Sequence, residues 1–172
     1  MKSFLKSTIT LLYSSLILGK NKKNNNLRIL MYHSVRLGNS SKNMWSLDSN
    51  YFSEHLSYLH EKKDIHLYSC TDLVESIPEN GIMITFDDGY RDNFEIAAPI
   101  LFELKIPFSV FVVTDYIRNE KKGFMNPSML RELSKNPLVT IGSHSKSHIP
   151  LTSCNQEELK IEISESKSYL ED

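Results

Sequence analysis

Cysteine is scarce in this chain: Cys70 and Cys154 are the only two, and they lie far apart with no C-x-x-C spacing. That excludes a disulfide framework and a thiolate metal site, and it leaves two buried thiols as the expectation. Charge of one sign is lacking too, since 20 Lys and Arg stand against 21 Asp and Glu. No internal repeat is evident. With 172 residues, 40% of them hydrophobic, the chain can bury one core but hardly two, so one globular domain is expected.

The balanced charge conceals an asymmetry. Residues 1–28 carry Lys2, Lys6, Lys20, Lys22, Lys23 and Arg28 and no acid. The remainder holds 14 basic against 21 acidic residues, a formal charge near −7. Such a body has no electrostatic reason to hold nucleic acid, which is excluded as a partner. The basic arm would instead be drawn to anionic lipid headgroups.

Within that arm, Ser7 to Gly19 is uncharged and largely apolar and follows two lysines, like the first two regions of a secretory signal. Its 13 residues are too few to span a bilayer, and no small-x-small cleavage site follows. Leu5, Ile9, Leu12 and Leu16 fall at helical spacing, which suits a helix lying in a membrane interface. The alternative is a frayed extension packed on the domain. Residues 1–26 are thus expected to be a separate arm, placing the protein in the cell envelope, membrane-associated or exported.

Beyond the arm, short apolar runs alternate with amphipathic stretches. Residues 28–35 (RILMYHSV), 81–86 (GIMITF), 108–113 (FSVFVV) and 138–141 (LVTI) are strand-like. Helical spacing appears over 49–62, through Phe52, Leu56 and Leu59, and over 96–104, where Pro99 marks either a kink or a first turn. A short helix is expected around 129–133, and Asn155 with Glu158 three residues on opens a last one. This alternation predicts an α/β fold with a parallel sheet of right-handed units. Chemistry in such folds sits at the carboxyl ends of the strands.

Two such ends carry suggestive residues. After the second strand comes Thr85-Phe86-Asp87-Asp88-Gly89-Tyr90. Adjacent carboxylates on an extended strand point to opposite faces, so both reach one site only if the strand breaks, as Gly89 permits. One Asp could then bind a metal while its neighbour acts as general base, although a solvated Asp-Gly turn is the commoner meaning of this pattern. After the fourth strand comes Gly142-Ser143-His144-Ser145-Lys146-Ser147-His148. Two imidazoles four residues apart suit a cation, and their placement at the same sheet end as the Asp pair raises the signal above chance. One Asp and two His would leave coordination positions open for water and substrate.

TFDDGY followed by SHSKSH and then HIPLT resembles the first two motifs of the polysaccharide deacetylase family, carbohydrate esterase family four, with the NodB-homology domain. Asp92, Asn93, Ala98, Pro99 and the run FSVFVVTDYI between them fit the same pattern. The resemblance covers about residue 27 to the end. It implies a deacetylase-type (β/α) barrel, with Asp87 as catalytic base and Asp88, His144 and His148 as metal ligands. Tyr32-His33 is similar to an early Y-H motif of the branch acting on poly-N-acetylglucosamine-like polymers, which makes His33 the candidate catalytic acid against a structural role. His55, His60 and His66 are expected at the surface, and Trp45 either stacks on a sugar or anchors a loop.

The resemblance also implies further strands and an Arg-bearing motif after Asp172, so about four of seven barrel strands are expected here, a partial domain over 27–172. The expected reaction is hydrolysis of N-acetyl groups on a GlcNAc-containing polysaccharide, with a divalent cation, Zn²⁺ by its ligand set. Two rivals stand beside it: a truncated, non-catalytic remnant that binds metal or carbohydrate, and a phosphohydrolase using the Asp pair. The second is disfavoured because that chemistry usually wants D-x-D.

Overall fold

A computed structural model describes residues 27–38, 44–72 and 81–172. The basic arm, 1–26, lies outside the described residues.

The chain runs β1 (Arg28–Tyr32), β2 (Ser34–Arg36), β3 (Ser46–Asp48), α1 (Ser49–Glu61), β4 (His66–Tyr68) and β5 (Gly81–Phe86). A π-helical turn (Asn93–Ala97) leads into α2 (Ala98–Glu103), followed by β6 (Phe108–Val112), α3 (Thr114–Arg118) and α4 (Pro127–Ser134). β7 (Val139–Ser143), a 3₁₀ turn (Leu151–Ser153) and α5 (Gln156–Glu171) complete it. Five strands make one all-parallel sheet in the order β1-β5-β6-β7, with β4 also paired to β5. β1 matches Arg28–Tyr32 to Ile82–Phe86 along one edge of β5. The other edge is shared, because β4 takes Gly81–Met83 and β6 takes Ile84–Phe86.

Burial explains why β5 is the centre. All six of its residues are buried, as a parallel strand covered on both faces requires. Around it Phe52 of α1, Phe86 of β5 and Phe108 of β6 form an edge-to-face chain, with ring centroids 5.8 Å apart at each step. Leu56, Ile84, Leu101 and Val110 are fully buried in the same core. The helical spacing over 49–62 becomes α1, which buries Phe52, Leu56 and Leu59, and the Asp48 carboxylate caps its first turn. Asn155 and Glu158 form the expected reciprocal cap of α5.

Three expectations need correction. The run 28–35 is not one strand: pairing with β5 stops at Tyr32, and Ser34–Arg36 pairs instead with Ser46–Asp48 in a separate two-stranded parallel sheet. β3 and β4, each three residues long, were not expected: β4 joins the four expected strands in the main sheet, and β3 pairs with β2 in the small one. The thiols are free and half-buried rather than fully buried, with Ser109 Oγ donating to Cys70 Sγ at 3.1 Å. The Pro99 alternatives resolve as well. It occupies the first turn of α2, just after the Ala98 N–H has bonded to Asn93 O five residues back.

Candidate metal centre and catalytic groups

The site grows out of the ends of β5 and β7, which flank β6. Asp87 is fixed first, because its N–H donates to Tyr32 O at 2.9 Å and extends the β1–β5 pairing by one residue. The backbone then turns left-handed, with φ of 71° at Asp88 and 77° at Gly89. Gly89 is obligatory twice over. Its conformation suits glycine, and a Cβ there would lie 2.8 Å from Val112 Cγ1. The Met125 N–H donates to Gly89 O at 3.0 Å and locks the turn against the segment before α4. The break lets two adjacent carboxylates serve one place, as the sequence pattern demanded.

The second arm is the loop after β7. The His144 N–H donates to Val112 O at 2.8 Å, so the β6–β7 ladder delivers the first imidazole directly. Thr114 and Asp115 at the start of α3 donate their N–H groups to Ser145 O and Lys146 O, pinning the loop over β6. Ser145 and His148 both hold positive φ, 64° and 65°, and the His148 N–H donates to Ser145 Oγ at 3.2 Å. Left-handed non-glycine residues store strain that surrounding contacts must hold.

These arms bring Asp88, His144 and His148 together. Asp88 Oδ1 lies 3.5 Å from His144 Nε2 and 3.2 Å from His148 Nε2, and one ligand atom from each residue falls within 4.8 Å of the others. Asp88 is buried, yet its Oδ1 accepts no hydrogen bond. A buried carboxylate oxygen without a donor needs a positive partner, and two imidazole nitrogens facing it complete a set suited to a divalent cation. The donor set therefore fits a metal. A cleft of about 420 Å³ opens beside it, lined by His144, His148, Ile149, Pro150 and Leu151 among others.

Asp87 and His33 flank this cluster. Burial pushes the Asp87 carboxyl above the ordinary carboxylate range, and the neighbouring Asp88 charge adds to that; His144, His33 and His148 oppose it. His33 is therefore within electrostatic reach of Asp87. Its ring packs against Trp45 at a centroid distance of 4.7 Å, which gives that tryptophan a loop-anchoring contact. The His33 carbonyl accepts from Asn93 Nδ2 at 2.6 Å. Asp92, pushed up by burial, accepts from Ser34 Oγ at 2.6 Å and from the Val35 N–H at 3.1 Å. The turn after the Asp pair thus braces the segment that carries His33. His55, His60 and His66 are exposed and outside the cluster.

Residue-by-residue reading of the sequence missed one group with a direct hold on this site. Glu162 of α5 is buried and accepts from Lys146 N, Ser147 N and Ser147 Oγ. Nothing in its helical context marks it.

An open parallel sheet with a carboxylate and two imidazoles at the carboxyl ends of β5 and β7 defines an α/β protein with a ligand cluster of the kind hydrolytic metal sites use. Residues 75–172 match the family described as polysaccharide deacetylase, and the chain belongs to that family. It is 28% identical over 159 residues to YxkH of Bacillus subtilis (strain 168), assigned by name to the polysaccharide deacetylases, covering 88% of this chain and 54% of that protein. This chain thus spans about half the length of that curated relative. Its fold is similar to the Streptococcus pyogenes deacetylase PplD solved in complex with acetate (TM-score 0.76, 19% identity, covering 84% of this chain and 67% of that one). It is also similar to IcaB from Ammonifex degensii (TM-score 0.74, 19% identity, 87% and 70% covered). These likenesses make the sheet part of a deacetylase-type (β/α) barrel.

Proposed function

We propose that the chain serves in metal-dependent hydrolysis of N-acetyl groups on a GlcNAc-containing polysaccharide. The observation that carries this reading is the convergence of Asp88, His144 and His148 beside a second, half-buried carboxylate, Asp87. Asp88, His144 and His148 would hold a cation there, Zn²⁺ by the chemistry of two imidazoles and one carboxylate, and it would supply Lewis acidity toward the acetyl carbonyl and the attacking water. Asp87, in its charged form, accepts the proton of that water as its oxygen bonds to the acetyl carbon. His33, protonated, donates to the amide nitrogen as the C–N bond breaks, which yields acetate and a free amine. The cleft beside His144 and His148 offers room for a sugar chain to approach.

The test is acetate release from N-acetylglucosamine oligomers with added Zn²⁺ or Co²⁺. Asp87→Asn is expected to keep its metal and lose turnover by about 10² to 10⁴, the usual worth of a general base. Full turnover by that variant would sink the assignment of Asp87. Metal uptake by the wild-type chain with no acetate release would favour the binding-only remnant, and phosphate release from phosphate esters would favour the phosphohydrolase.

A further inference from the structure

We infer that Glu162 is a positioning residue for the metal centre: its carboxylate holds the loop bearing His148 in the one conformation that presents both imidazoles to Asp88. The inference rests on the metal reading above and adds to it a residue on α5 that contributes no ligand atom.

The geometry is specific. Glu162 is only 5% exposed. Both carboxylate oxygens are engaged, Oε2 by the N–H groups of Lys146 and Ser147 at 3.0 and 2.9 Å, and Oε1 by the Ser147 hydroxyl at 2.6 Å. The residues that donate, 146 and 147, lie between the two left-handed positions, Ser145 and His148. Two consecutive N–H groups turned to one side leave the loop backbone little choice, and the strain at either end needs a clamp of this kind. Two further contacts from the same helix reinforce it. Lys146 Nζ pairs with Glu165 Oε2 at 2.9 Å, and the hydroxyls of Ser143 and Ser166 share a 2.7 Å hydrogen bond.

What α5 stabilises is therefore the shape of the segment from Ser143 to Ser147. His144 is also held by β6 through its N–H, whereas among the described residues the His148 N–H donates to Ser145 Oγ within the loop and to no strand. His148 is accordingly the ligand whose place depends on Glu162. Partners that orient a metal's ligands typically cost 10–100-fold in metal affinity when removed, and Glu162 acts in this way through the backbone next to His148.

The chemistry of three substitutions separates geometry from charge. E162Q keeps the length of the side chain. Its carbonyl oxygen can accept both N–H groups while its amide donates to a reversed Ser147 hydroxyl, so the clamp survives without the charge. E162D keeps the charge but is one methylene shorter and falls short of the loop. E162A removes both.

The experiment uses the full 172-residue chain, stripped with chelator and titrated with Zn²⁺ against a chromophoric competitor. Co²⁺ absorption at saturation reports the ligand set, and denaturant unfolding without metal reports the fold. E162A and E162D are expected to bind Zn²⁺ about 10–100-fold more weakly, with a Co²⁺ band altered by loss of one imidazole, while E162Q stays within about threefold of wild type. A merely structural role would lower the unfolding midpoint and leave the saturated Co²⁺ band unchanged. If E162A does not fold, the E162D and E162Q pair decides. Wild-type affinity in E162D, or a loss in E162Q as large as that in E162D, overturns the inference. A wild-type chain that takes up neither Zn²⁺ nor Co²⁺ overturns the metal reading, and this inference with it.

Discussion

Asp88 and His148 face each other at 3.2 Å, and each holds a left-handed backbone, φ 71° and 65°. Two strained non-glycine residues meeting at one atom pair is what an assembled ligand site shows, since such conformations persist only where the surroundings over-determine them.

The first prediction concerns that pair and His144. Replacing Asp88, His144 or His148 singly with Ala is expected to abolish most metal binding, because each contributes one of three ligand atoms. Elemental analysis of the purified variants checks this. Unchanged metal content in all three would show that the site is wrongly assigned.

The second prediction is steric. In Gly89→Ala the new Cβ meets Val112 Cγ1 at 2.8 Å in a backbone with φ of 77°. Strain and overpacking together are expected to cost about 1–3 kcal/mol, read as a lowered denaturant midpoint at unchanged slope. A midpoint equal to wild type would mean that the turn after β5 relaxes freely.

A third prediction follows from Glu162. Burial raises its carboxyl, but the hydrogen bonds from Ser147 and Lys146 outweigh this and hold it below the usual glutamate range. The folded chain thus binds this proton more weakly than the unfolded chain. The stabilisation is complete above the ordinary glutamate value and is lost as pH falls from there through the lower, folded value. E162Q is expected to flatten that part of the acid limb in a pH series of unfolding midpoints, and an identical limb in both proteins would contradict it.

The fourth prediction concerns the N-terminal arm, for which we propose a membrane tether on its charge and apolar spacing alone. Deleting residues 1–26 is expected to move the protein off anionic vesicles in a sedimentation assay. Equal partition with and without the arm, in low and high salt, would end that proposal.

Much of this was legible in the sequence, because β5, β6 and β7 are apolar runs, the first and last closed by residues with chemistry to offer, and α1 announces itself through Phe52, Leu56 and Leu59. The break after Tyr32 was not, since RILMYHSV reads as one strand-like run with no Gly or Pro to interrupt it. What ends the strand is tertiary: beyond the last ladder bond, from the Asp87 N–H to Tyr32 O, the Ser34 N–H turns away from β5 to Trp45 O. β3 and β4 are too short, at three residues each, to carry a period. The burial of Glu162 likewise depends on a loop delivered by another strand, so no local pattern could flag it.

The order of the sheet bears on how the protein reaches its native state. Asp88 follows β5, while His144 and His148 follow β7, and in the described sheet β6 lies between the two strands. Every ladder between them is parallel and closes over an intervening helix, so the ligand atoms meet late, after non-local loop closures that are slow in themselves. An ion selective for the three together then stabilises the finished sheet and not its precursors, by RT ln(1 + [L]/Kd), so the apparent stability of the fold should track the free metal concentration around it.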